Sequence, residues 1–182
     1  MTRYSIIRSQ SRQRGATLMV ALILLAVMTL LGLAVLRSTI MDERMAGGMY
    51  GRSLAFQSAE AGLREAENLI ETNTALPASF PTTAGTCNAN GLCSTIDRTA
   101  NPNADDLWVS GATWKTSAAS VGMAEPPQYI IEKMGEAPTW YGCDKATPIA
   151  PTCLSERYRI TAVSQSDDGS RVLLQSNYAV VK

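Results

Sequence analysis

An uninterrupted apolar run near the N-terminus constrains this chain more than any other feature. The run covers Ala16–Leu36, "ATLMVALILLAVMTLLGLAVL", and has no charged residue in its 21 positions. At a rise of about 1.5 Å per residue, a helix of that length spans roughly 30 Å, the thickness of the hydrocarbon core of a bilayer. We therefore predict a membrane-spanning helix over residues 16–37.

Charged residues flank this run asymmetrically. The first acidic residue of the chain is Asp42, and four arginines precede the run: Arg3, Arg8, Arg12 and Arg14. Because cationic flanks remain in the cytoplasm, the sequence predicts a cytoplasmic N-terminus and a periplasmic location for residues 38–182. A secretory signal has a shorter apolar segment and a small-residue cleavage site after it, so removal of the whole run is the weaker alternative.

The composition argues against several classes of function. The 182 residues contain no histidine, which removes the commonest general base and metal ligand, and the formal net charge is zero. Neither of the common glycine-rich phosphate-binding motifs occurs. The basic residues of the N-terminus adjoin the apolar run, so they fit membrane topology better than nucleic-acid binding. We expect no enzyme, no cofactor and no nucleic-acid partner.

The junction before the apolar run has a specific pattern. Basic residues lead into Gly15, the small residue Ala16, and then Thr-Leu and an unbroken apolar segment. This pattern resembles the class III signal of type IV pilins and pseudopilins. The resemblance implies that a prepilin peptidase cuts between Gly15 and Ala16, removes a leader of residues 1–15 and N-methylates Ala16. The retained helix then serves first as a membrane anchor and later as the packing core of a filament, and an apolar surface all round suits both settings.

Two positions depart from the family pattern. Ala16 stands where the family usually has phenylalanine, and Val20 stands where it usually has glutamate. In the family that carboxylate pairs with the terminal amine of a neighbouring subunit in a setting of low dielectric constant, and valine cannot replace it. Members without the glutamate are minor pilins or pseudopilins at the tip or at the start of the filament. The resemblance therefore points to that subset.

An amphipathic helix follows the anchor over residues 38–72. Apolar residues recur at alternating spacings of three and four, at Phe56, Ala59, Leu63, Ala66 and Ile70, so this stripe is predicted to pack on a sheet. The segment "QSAEAGL", residues 57–63, is similar to the helix of PilX-type minor pilins. The resemblance covers residues 12–72.

The remaining residues, 73–182, are predicted to form a globular head. Residues 73–127 should be loops with short elements, with Leu107–Val109 and Trp114 as buried anchors. Strands are predicted at residues 128–134, 157–165 and 171–181, and the turn signal "SDDGS" at residues 166–170 joins the last two. The expected fold is therefore α+β and pilin-like, with a long N-terminal helix packed on a C-terminal antiparallel sheet.

Four cysteines lie in the predicted head: Cys87, Cys93, Cys143 and Cys153. An oxidising compartment favours disulfides, and four cysteines allow three connectivities. We favour the local pairs Cys87–Cys93 and Cys143–Cys153, which close short loops. The second loop is similar in placement to the C-terminal disulfide loop of many pilins. A zinc site is the rival, but no CxxC pair occurs. The acidic turns "NPNADD" and "SDDG" do not match a calcium loop, so no metal is expected.

The function that this resemblance implies is structural. The chain would be a minor pilin that helps to prime type IV pilus assembly, anchored in the inner membrane by one span and later located at the pilus tip on the cell surface. Its partners would be prepilin peptidase, other minor pilins, the major pilin and a large tip adhesin, with roles in adhesion and twitching motility. Trp140 and Tyr141 are the candidate partner contact. The alternatives are a type II secretion pseudopilin that lacks the glutamate and a single-pass periplasmic binding module.

Overall fold

The structure is a computed structural model that describes residues 15–109, 112–122 and 124–181, and it comprises two compact units. The first unit ends at Ala46 and the second begins at Gly47. Helix α1, Ala16–Thr72, contributes residues to both units. The first fourteen residues of the predicted leader lie outside the described residues.

The first unit consists of the apolar part of α1. Every residue from Ala16 to Ala46 is exposed. Among the described residues, α1 alone is long and apolar enough to cross a membrane. The hydroxyl of Thr29, one of the few polar groups of the run, donates a hydrogen bond to the carbonyl of Ala26 at 2.8 Å. The polar hydroxyl is thus satisfied within the helix, as an apolar environment requires.

The second unit is built on one sheet. It contains residues 47–72 of α1, a 3-10 helix at Leu76–Ser79, strands β1 (Leu92–Ser94), β2 (Lys115–Thr116) and β3 (Gln128–Pro138), a 3-10 helix at Cys143–Lys145, and strands β4 (Leu154–Gln165) and β5 (Arg171–Val181). The strand order is β1-β3-β4-β5, and β2 also pairs with β3. The pairing of β1 with β3 is parallel, and every other pairing is antiparallel.

The predicted α+β architecture is confirmed, with differences in the sheet. β3, β4 and β5 occupy the three predicted strand regions, and residues 166–170 form the turn between the last two. β3 continues past Met134 to Pro138 through an irregularity between Lys133 and Gly135. β1 was not predicted, and its parallel pairing makes the sheet mixed rather than purely antiparallel.

The helix packs on the sheet mainly through small side chains, with Ile70 as the one large buried residue. Its buried residues are Gly51, Ala55, Ser58, Ala59, Gly62, Ala66 and Ile70. A Cβ added at Gly62 would lie 3.1 Å from the Cβ of Pro127, so the backbones approach closely there. The prediction that Phe56 faces the sheet is wrong, since Phe56 is 48% exposed. The buried face is centred on small residues, and Phe56 lies about 100° round the helix from Ala55.

A core lies on each face of the sheet. The larger core joins α1 to one face and includes Tyr129, Ile131, Tyr158 and Ile160. The smaller core covers the opposite face and contains Cys93, Leu107 and Ile130, with Trp108 and Trp114 packed against it. Leu107 is thus buried as predicted, but Val109 is 57% exposed, which corrects that prediction. Because both faces are covered, even Thr161 on the polar side of β4 is buried.

Candidate functional site

The N-terminal junction lies at the start of α1. Gly15 precedes the helix, Ala16 is its first residue, and both residues are exposed. The amide of Met19 donates to the carbonyl of Gly15 at 3.4 Å, which is the first hydrogen bond of the helix. The peptide bond between Gly15 and Ala16 therefore lies at the boundary between the helix and the residues that precede it.

The apolar side chains of the first unit form a surface that covers the helix on all sides. Val20 is 56% exposed on this surface, and no carboxylate occurs from Ala16 to Leu36. An exposed apolar surface of this extent identifies a membrane or protein contact. This surface, together with its single span, supports a membrane anchor.

The second exposed apolar feature is the loop between β3 and β4. Cys143 and Cys153 close this loop with a disulfide, and Cys87 and Cys93 close a second, shorter loop. Trp140 and Tyr141 lie just before Cys143. Trp140 is 50% exposed and Tyr141 is 96% exposed. The ammonium of Lys145 lies 5.5 Å from the centre of the Tyr141 ring. The two aromatic side chains lie at the surface, where a partner can reach them.

A carboxylate on α1 holds the loop after β2. Glu65 accepts hydrogen bonds from the hydroxyl of Ser117, the amide of Ala118 at 2.9 Å and the amide of Ala119 at 3.3 Å. Its second oxygen accepts a bond from the hydroxyl of Tyr129 at 3.4 Å. Burial, together with the nearby charge of Glu65, raises the pKa of Tyr129 to about 12. This contact attaches the loop to the helix over a long sequence separation.

A charged network lies under the smaller core. Glu132 of β3 is fully buried and forms an ion pair with Arg159 of β4, and Arg159 also lies 3.7 Å from Asp106. Arg98 pairs with the same aspartate at 2.6 Å. Burial raises the pKa of Glu132, and the hydrogen bond from Arg159 opposes that shift. The network attaches residues 98–106 to the sheet.

Sequence reasoning missed both of these carboxylates. Glu132 had a signal, because it is the one acidic residue within the predicted strand "QYIIEKM". Glu65 had none, since its partners lie 52 and more residues away and it resembles any other helical glutamate. Within the described ranges, no three histidine, cysteine or acidic side chains form a group that could hold a metal ion.

Two family models match the chain. One describes the PilX N-terminal region and matches residues 14–64. The other describes the C-terminal part of the type IV pilus assembly protein PilX and matches residues 81–180, which is more than half of the chain. Comparisons with curated proteins and with solved structures gave no match. With a long apolar helix, a helix-on-sheet fold and both family regions in order, the chain belongs to the PilX family of type IV pilus assembly proteins.

Proposed function

We propose that this chain is a minor subunit of the type IV pilus that helps to prime filament assembly and stays at or near the tip. The observation that carries the proposal is the apolar surface of α1, which begins directly after Gly15. This surface includes Val20, at the position where a repeating pilin usually has a glutamate. Before assembly this surface contacts lipid. In the filament it packs against the helices of other subunits.

The proposal includes processing at the N-terminal junction. Prepilin peptidase removes residues 1–15, and Ala16 becomes the N-methylated terminus. The mature chain is anchored in the inner membrane, with residues 38–182 in the periplasm. Its partners are other minor pilins, the major pilin and a large tip adhesin, and through them it contributes to adhesion and twitching motility. The two disulfides fit an oxidising periplasm.

The N-terminal mass of protein purified from sheared filaments tests the proposal. We expect a chain that starts at Ala16 and carries one added methyl group. The variant Gly15→Val should remain full-length in the membrane and should be missing from filaments, whereas Gly32→Ala, inside the apolar run, should be processed normally. A full-length chain in the wild type, or processing of Gly15→Val, would contradict the proposal and favour a single-pass module that does not polymerise.

A type II secretion pseudopilin is the second candidate. Such chains typically carry a large helical insertion in the head, by resemblance. The described residues after Thr72 contain two 3-10 helices and no α-helix, and the family match is to a type IV pilus protein. Both observations favour the pilus.

The exposed aromatic pair is proposed as a contact with a neighbouring subunit. Trp140 and Tyr141 present apolar area at low conformational cost beside a loop that a disulfide constrains. Replacement of both by alanine should lower the amount of the protein in sheared filaments, while Tyr141→Phe alone should not. Equal amounts in membranes would show that the double variant folds. Unchanged incorporation into filaments would contradict the contact.

A further inference from the structure

Strand β5 forms a free edge of the sheet. It pairs with β4 from Arg171 to Val181, and no other described strand pairs with it. None of the residues Arg171–Val180 is buried, whereas most of β4 is. Among the described residues, no backbone hydrogen bond joins the outer side of β5 to another part of the chain. The outer side is therefore open to an additional strand.

The register shows which backbone groups are free. The amide of Ser166 donates to the carbonyl of Ser170 at 3.0 Å, one step beyond the last ladder pair, Gln165 with Arg171. Hydrogen-bonded and non-hydrogen-bonded pairs alternate along an antiparallel ladder, and this ladder has no irregularity. The even-numbered residues of β5 thus bond to β4. The odd-numbered ones present N–H and C=O groups outward: Leu173, Gln175, Asn177 and Ala179.

This edge lacks the features that usually protect a free strand. Edge strands are normally short, bulged, or interrupted by lysine or proline, because a long unprotected edge pairs with other chains. β5 has 11 residues, contains no proline and carries its one charge, Arg171, at its start. A strand with these properties is a suitable template for pairing with a partner strand.

Acidic side chains of α1 line one side of the edge. Glu67 accepts a hydrogen bond from Ser176 at 3.3 Å, and Glu71 accepts one from the hydroxyl of Tyr178. Glu60 and Arg64 lie on the same helix face and pair with each other at 2.7 Å, so they add no net charge, and the acidic character comes from Glu67 and Glu71. A strand added beside β5 would therefore have its helix-facing side chains next to the carboxylates of Glu67 and Glu71.

We propose that the free edge of β5 accepts an extended strand of a partner protein that carries lysine or arginine on the side facing α1. A second copy of this chain fits poorly. In an antiparallel pairing of two β5 edges both helices lie on the same face, so that two sets of like charges would approach each other. The inference adds a partner class to the proposed pilus subunit. It rests on the C-terminal unit alone, and leader processing does not affect its test.

The test uses the full chain in detergent micelles and two short synthetic peptides, one alternating threonine with lysine and the other threonine with glutamate. At low salt the lysine peptide should bind more tightly by roughly fivefold or more, and added salt should reduce the difference. Hydrogen exchange should show fast amides at Gln175 and Asn177 in the free protein. Binding of the lysine peptide should slow them while Ser176 stays slow throughout.

Two pairs of variants complete the test. Gln175→Pro with Asn177→Pro removes two outward amides and keeps the ladder to β4, so peptide binding should be lost. Gln175→Thr with Asn177→Thr keeps the amides and should keep binding. Glu67→Lys with Glu71→Lys should reverse the preference between the peptides, and this result does not depend on whether the proline pair folds.

Three outcomes would overturn the proposal. Equal binding of the two peptides would show that Glu67 and Glu71 do not select a cationic strand. Binding without protection of Gln175 and Asn177 would place the peptide elsewhere. Self-association of the wild type that the proline pair abolishes would show that a second copy occupies the edge. Because none of these measurements involves Gly15, a failure here differs from a failure of the proposed pilus function, which the N-terminal mass reports.

Discussion

The carboxylate of Glu65 accepts a hydrogen bond from the hydroxyl of Ser117, which is 52 residues further along the chain. Ser117 is buried. The same carboxylate also accepts hydrogen bonds from the backbone amides of Ala118 and Ala119. One side chain of α1 therefore satisfies three donors of a segment that has little regular structure of its own. The position of that segment depends on a tertiary contact rather than on its local sequence.

Replacement of Glu65 tests this dependence. Glu65→Ala leaves the three donors without their acceptor, and we expect a loss of about 2–3 kcal/mol in the free energy of unfolding. Glu65→Gln keeps an acceptor oxygen, so its loss of unfolding free energy should be smaller than that of Glu65→Ala. Glu60→Ala is the matched control, because it removes an exposed pair with Arg64 and should change stability by less than about 0.5 kcal/mol. Urea denaturation of the three variants measures the difference, and equal effects of Glu65→Ala and Glu60→Ala would contradict it.

Two glycines with positive φ provide a second test. Gly91 has φ +73°, and an added Cβ would lie 2.9 Å from the carbonyl oxygen of Tyr129. Gly135 has φ +89° with nothing within 4 Å. We expect Gly135→Ala to cost about 1–2 kcal/mol of unfolding free energy, from the backbone conformation alone. Gly91→Ala should cost more, because β3 must also shift. Thermal unfolding of the two variants shows which one is destabilised more. A larger loss for Gly135→Ala would show that the chain relieves the contact between residue 91 and the carbonyl of Tyr129 at little cost.

The buried carboxylate of Glu132 predicts a dependence of stability on pH. Burial raises its pKa above the usual 4.5 in the folded protein, so that the folded state retains this proton when the unfolded state has lost it. The contribution of Glu132 is then most favourable below pH 4.5 and is lost as the pH rises through the folded-state pKa. Relative to Glu132→Gln, the wild type should therefore lose unfolding free energy as the pH rises from 4.5.

Denaturation of both proteins between pH 4 and pH 8 measures this slope. Arg159 keeps Asp106 as a partner in the glutamine variant, so that the variant does not leave the guanidinium without an acidic neighbour. A wild type that gains stability relative to Glu132→Gln over the same range would mean that the ion pair with Arg159 outweighs burial.

The parts of this fold that the sequence predicts are those with local signals. Alternation in β4, the Asp-Gly turn at residues 166–170 and the long apolar run each lie within a short window. The pairing of β1 has no such local signal, because Leu92 pairs with Ile131, which lies far along the chain, and no short sequence pattern specifies that pairing. The sequence predicts that Phe56 lies on the face of α1 that packs on the sheet. The helix and the sheet approach too closely for that side chain, and Ala55 and Gly62 are buried there instead. The contacts of Glu65 are equally non-local.

The absence of a carboxylate at Val20 leads to the last prediction. The resemblance to type IV pilins implies that a repeating subunit uses a glutamate at this position to pair with the terminal amine of its neighbour. In an apolar setting an unpaired carboxylate is costly. A subunit with valine can be held by the apolar packing of Ala16–Leu36, but it cannot form this ion pair with a subunit assembled before it. We therefore expect low numbers of this protein per filament, and we expect them at the end that assembles first.

Gold labelling of the C-terminal unit on intact filaments measures this location. Labels should mark filament ends, and Val20→Glu should leave assembly unchanged or lower it, because the new carboxylate has no amine to meet at the first-assembled end. Val20→Leu is the matched control and should assemble as the wild type does, since it keeps the apolar surface. Even labelling along the shaft, or improved assembly of Val20→Glu, would show that the subunit repeats within the filament.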